Sequence, residues 1–166
     1  ADQVQIKMRW WLHRNDGPWR AYDYEVLDMS LRFSTLTGLG MKMAEGKDPS
    51  IRRFPTLMQG CQQLAQGDSP NALVTFRDLQ DAGFPMVLES LRLFMLSACL
   101  SDTGEFQEAI MVADRAMAMN PDMPMAHSIY AISYNGLGKH EQALEHATQY
   151  AKLLGKDGDY YGEVGE

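Results

Sequence analysis

Residues 93–121 read LFMLSACLSDTGEFQEAIMVADRAMAMNP, and this stretch decides the fold. Leu93, Leu96 and Leu100 recur every three or four positions, the period of one helix face, until Thr103-Gly104 breaks the run. A second helical pattern carries Ala109, Ala113 and Ala116 and stops at Asn120-Pro121. Working outward, the glycine that ends the first helix has counterparts in Gly67 and Gly138, so the three are separated by 37 and 34 residues. Five residues beyond each stands an alanine, Ala72, Ala109 or Ala143, and seven before each a small residue, Gly60, Ser97 or Ala131. Small side chains at such positions let two antiparallel helices approach closely, where a bulky one would hold them apart. A repeat of this length predicts stacked helix pairs.

The pattern resembles the tetratricopeptide repeat family over about residues 53–156, in units 53–86, 90–123 and 124–156. The middle unit matches best, and the third follows with His127, Tyr130, Ala131, Tyr134, Gly138, Ala143, Ala147 and Tyr150. The third unit departs from the pattern at Tyr150, where a small residue is usual, and at Gly155, where the closing proline would stand; both suit a terminal repeat. The first unit is the weakest, with Thr56, Gln59 and Gln63 where apolar or aromatic residues are usual. The resemblance implies a mainly α fold, a right-handed superhelix of about three repeats whose first helices line a concave, ligand-holding groove.

Carried over position by position, the resemblance gives a groove of Phe54, Leu57, Cys61 and Leu64, then Leu91, Phe94, Ala98 and Ser101, then Met125, Ser128, Ile132 and Asn135. Family members that grip a C-terminal carboxylate place Lys, Arg or Asn where this chain has Leu57, Cys61 and Met95, so no carboxylate clamp is expected. A mostly apolar groove calls for an apolar or basic protein segment, or for the chain's own preceding helix inserting Met29, Phe33, Leu36 and Met43. The methionines crowded at Met111, Met117, Met119, Met123 and Met125 read either as core or as a plastic recognition surface.

Upstream, Val4, Ile6, Met8, Trp10 and Leu12 alternate with the two-residue period of a strand, and Arg14-Asn15-Asp16-Gly17 supplies a turn before a second strand from Trp19 to Val26. Residues 1–27 therefore form a β-hairpin, 28–52 a linking helix (Asp28 to Glu45) and a loop broken at Gly46 to Ser50, and 157–166 a frayed tail. The run from Trp11 to Tyr24 also resembles, over a short span, the closing strands of extracytoplasmic α+β lipid-binding domains. That likeness raises the expectation that the natural protein continues upstream of Ala1 and that the repeats brace a larger ligand-binding or catalytic protein.

Composition bounds the partners. Residues 1–53 carry nine Lys/Arg against seven Asp/Glu, whereas 54–166 carry six against fifteen, a net charge of −9 on the helical part. Nucleic-acid binding relies on Lys and Arg neutralising phosphates, so no nucleic-acid partner is expected. No stretch approaches the roughly 18 to 20 consecutive apolar residues of a membrane span, so no membrane insertion is expected either. The same signals do not choose between cytoplasm and extracytoplasm. Cys61 and Cys99 form no metal-type pair and read as small buried thiols. His13, His127, His140 and His146 lack the four-residue spacing of a helical zinc site; His140 reads as part of a solvated face with Glu141 and Glu145, and His127 as a core residue. With no phosphate-cradling glycine loop and no nucleophile elbow, catalytic residues, cofactor and metal are all expected to be none, and the chain is read as a non-enzymatic interaction module, with a second copy as a further expected partner.

Overall fold

The structure, a computed structural model, describes residues 8–14, 17–26, 31–32, 34–35, 37–38, 41, 45, 49–121 and 123–164. It is mainly helical, with a small antiparallel sheet at the N-terminal end. Strand β1 (Met8–His13) pairs with β2 (Arg20–Val26), Met8 opposite Val26 and His13 opposite Arg20, with an irregularity in register between Trp11 and Leu12. A third strand, β3 (Leu31–Arg32), pairs with Glu25 and Val26, giving the order β1-β2-β3. The helix expected from Asp28 therefore does not hold at Leu31 and Arg32. The outer edge of β2 offers backbone N–H and C=O groups that need partners, and a short strand satisfies them.

Helical conformation appears at Ser34, and the Asp23 carboxylate on β2 explains why it appears there. It accepts from the Ser34 N–H at 3.1 Å and from the Ser34 hydroxyl at 2.7 Å, tying the sheet to a helical start whose N–H groups lack partners of their own. Met29, Phe33, Leu36 and Met43, the strand positions Val4 and Ile6, and the turn residues Asn15 and Asp16 lie outside the described residues.

After a 3-10 segment (Pro49–Arg53) come α1 (Phe54–Ala65), α2 (Ser69–Asp78), α3 (Met86–Asp102), α4 (Phe106–Met119), α5 (Pro124–Gly136) and α6 (His140–Val164). They form three antiparallel pairs, and the turn inside each pair is built alike. Gly67, Gly104 and Gly138 have φ of +78°, +85° and +72°, left-handed values that only glycine adopts without strain. The next N–H in each case, from Asp68, Glu105 and Lys139, reaches back to the carbonyl of Gln63, Leu100 and Tyr134 at 2.8 to 2.9 Å, a helix-ending bond that satisfies an orphan acceptor. Ala72, Ala109 and Ala143 then lie buried in the first turn of the second helix.

Two spans differ from the sequence reading. Helix α3 is 17 residues long against 12 for α1 and 13 for α5, and the excess lies at its start, Met86 to Glu89. Helix α6 runs on to Val164, through the stretch expected to fray. Gly155, Gly158 and Gly162 each weaken a helix by about 1 kcal/mol, but no proline interrupts the run, so the backbone continues.

Successive pairs stack: α2 packs on α3 and α4 on α5, while α1 touches α3 and α3 touches α5. One continuous core runs through them, from Leu57 and Phe76 through Leu93, Cys99 and Leu100 to Ala126, Ile129 and Tyr130. Gly60 and Ser97 are buried as the close-approach reading requires. A Cβ on Gly60 would come within 2.7 Å of the Phe76 ring. Ala131 is only half-buried, and the tight contact on α5 is instead at Gly136, whose missing side chain leaves room for the Phe106 ring of α4.

Polar links sew the pairs together inside this core. Arg92, 2% exposed, donates from Nε and Nη2 to the two carboxylate oxygens of Glu89 at 2.8 and 2.6 Å, and from Nη1 to the Phe76 carbonyl near the end of α2 at 3.0 Å. Ser133 donates to the Ser101 hydroxyl at 3.1 Å, Ser69 to Asp102 at 2.7 Å and Tyr130 to Asp114 at 2.7 Å. Among the described residues no helix is long and apolar enough to cross a membrane.

Candidate functional site

The expected groove residues divide by burial along the stack. Leu57, Leu91, Phe94 and Ser101 are buried, so the chain itself covers them, and Leu57, Leu91 and Phe94 belong to the core. Phe54, Cys61, Leu64, Ala98 and Met125 are half-buried and pack against that core; Ser128 is half-buried and donates its hydroxyl to the Met125 carbonyl at 2.7 Å. Only Ile132, 52% exposed, and Asn135 are open to solvent. Met125, Ser128, Ile132 and Asn135 follow one another at three- and four-residue steps, so they form one stripe along α5. Its accessible half is the lower part of that stripe, where Asn135 Oδ1 meets His140 Nδ1 at 3.0 Å across the α5–α6 turn.

On the neighbouring face of α5 a ring cluster fills the last pair. His146 of α6 stacks on Tyr130, with ring centres 4.6 Å apart, and on Tyr134 at 5.5 Å, while its Nδ1 lies 3.0 Å from Nδ1 of His127. One of the two nitrogens must carry the hydrogen and the other accept it, so the contact requires at least one neutral imidazole. Burial, then His146, pushes His127 below the usual histidine range. Burial also pushes His146 down, against an opposing pull from Glu145 and Asp114. Tyr150, the large residue where the repeat pattern wants a small one, turns back onto α5 and donates its hydroxyl to Met125 Sδ at 3.1 Å. Sequence reading placed His127 in the core, whereas it is half-buried, and missed its partner. The two histidines are nineteen residues apart on different helices, and no local spacing joins them.

Both thiols are unbridged. Cys99 is fully buried, and its pKa is pushed up to about 12 by burial, with Asp102 and Cys61 adding to it. Burial also raises Cys61. A thiol held that high stays protonated at neutral pH and makes a poor nucleophile. Among the described residues no group of three His, Cys, Asp or Glu side chains is placed to hold a metal ion.

At the other end, the sheet presents exposed Trp10, Leu12 and Trp19, with Trp10 against Tyr24 (ring centres 5.1 Å) and the Arg14 guanidinium 5.9 Å over Trp19. No family model matches the chain, and no curated protein matches it.

Proposed function

We propose that this chain is a protein-interaction module built from tetratricopeptide-like helix pairs, holding an apolar or basic partner segment along α5. The observation that carries the reading is Ile132, a large apolar side chain 52% exposed in line with Met125, Ser128 and Asn135 on a first helix of the stack. The net charge of −9 over residues 54–166 favours a basic segment, whose approach such a field assists. The covered residues Leu91 and Phe94, on the helix α3 that touches α5, then serve as the wall that fixes α5 rather than as direct contacts, with Leu57 behind them in the core.

The test is binding of a panel of apolar and basic peptides, read by fluorescence anisotropy, to the wild-type chain and to Ile132→Glu. Capture by the wild type with at least a tenfold loss in Ile132→Glu is expected. Equal binding by both would move the site off α5, and no binding by either would leave this reading without support.

A second reading has its own observation. The exposed Trp10, Leu12 and Trp19 on a small sheet suit a chain whose sheet is completed by further protein, with the helix pairs as a brace. Burial of those three residues in a longer version of the protein, read by tryptophan fluorescence, favours this second reading.

A further inference from the structure

The two ends of the helix stack are not alike. In the middle of the stack, Phe106 and Asp114 of α4 both meet α5, through Gly136 and Tyr130 respectively. Ile110, Ala113 and Met117 lie on the same stripe of α4, and Ile110 and Ala113 are buried there. Thirty-four residues on, the same stripe of α6 consists of His140, Leu144, Ala147, Thr148 and Ala151, and all five are exposed, Leu144 by 69%. It is a stacking face without an occupant among the described residues. Repeat arrays stay soluble by giving their terminal units polar outer faces. The N-terminal end obeys this: the positions on α1 aligned with Ala126, Tyr130 and Ser133 of α5 are Pro55, Gln59 and Gln62, all exposed. The C-terminal end does not.

We propose that a second copy of this chain covers the α6 stripe, the two α6 helices lying antiparallel about a two-fold axis near Thr148. Head-to-tail stacking would set Gln59 opposite Thr148, as Tyr130 stands opposite Asp114, but it leaves one open face at each end of every assembly and does not close. Same-face pairing closes on itself. Its charges also fit. Glu145 and Lys152 are seven residues apart, two helical turns, on the flank of the stripe turned away from α5. In an antiparallel two-fold pair, equal flanks oppose each other, so Glu145 of each copy faces Lys152 of the other, while Leu144 of each packs on Ala151 of the other. A face this narrow sits at the small end of stable interfaces, so the pairing is concentration-dependent.

The test is sedimentation equilibrium of the purified chain from micromolar to millimolar concentration. It reads self-assembly, so its outcome is independent of the peptide site on α5. The wild type is expected to pass from monomer to dimer, and Leu144→Glu, with helix content unchanged, to remain monomeric throughout. Glu145→Lys and Lys152→Glu should each weaken the dimer several-fold, and the double exchange Glu145→Lys/Lys152→Glu should restore it. A wild type that is monomeric at every concentration overturns the proposal and leaves the face to a helix of another protein. Dimerisation untouched by Leu144→Glu, or a double exchange as weak as either single, overturns it equally.

Discussion

The second and third helix pairs share a spacing, yet they close their interiors with different chemistry. In α3/α4, which has neighbours on both sides, Leu100, Ile110, Ala113 and Ala116 are buried aliphatics. Thirty-four residues later the counterparts of Leu100 and Ala116 are Tyr134 and Tyr150, those of Ile110 and Ala113 are the exposed Leu144 and Ala147, and the interior of α5/α6 is made of stacked rings joined by a histidine pair and a tyrosine–methionine contact. A unit sealed from both faces can rely on close-packed aliphatic burial. A unit with one neighbour cannot exclude water as completely, and large amphipathic rings suit such a half-wet place because each has an apolar body and a polar tip.

The sharpest break in that comparison is expected at Arg92, where a cation is buried in the second pair. Arg92→Ala strands the Glu89 carboxylate and the Phe76 carbonyl, and removing one partner of a buried ion pair costs about 3–5 kcal/mol. Urea unfolding should show a loss of that size. The next effect tests the burial contrast directly: Ile110→Ala should cost about 2–4 kcal/mol by the same measurement, whereas Leu144→Ala in the monomer should stay within about 0.5 kcal/mol. Similar losses at the two positions would mean the last stripe is covered within one chain. The smallest loss should be confined to acid. His127 and His146 are held below their ordinary value of 6.5 in the fold, so the unfolded chain binds more protons as pH falls through that value. Their contribution is complete above about pH 6.5 and declines below it. The unfolding midpoint should therefore drop from pH 7.5 towards 5.5, and more steeply than in His127→Gln/His146→Gln.

The turns of the stack were legible because each is a local rule. A glycine with positive φ, a backbone bond within six residues and a small residue in the next helix turn leave their mark at fixed offsets, as at Gly104 and Ala109. What the spacing left open was which side of a face would be covered. Ala98 and Ile132 sit at equivalent places in the repeat pattern, yet one is half-buried against the core and the other 52% exposed, because burial depends on what the rest of the chain lays against them. Contacts between distant helices were out of reach for the same reason. Gly136 against Phe106, and His127 against His146, depend on how the pairs are set against each other, which no single helix encodes. Arg92 escaped because an arginine within an apolar run usually points to water. The third strand was hidden because two residues carry too little period to be seen.

The longer first helix of the middle pair bears on that arginine. The spacing of 37 instead of 34 residues goes into roughly one added turn at the start of α3, and Glu89, the only carboxylate in contact with Arg92 among the described bonds, belongs to that turn. An insertion that looks like drift in the period is thus the source of the counter-ion. Trimming this unit to the length of its neighbours would leave the guanidinium unneutralised, so the irregular unit and its arginine would have to be gained or lost together whenever such an array is copied, shortened or redesigned.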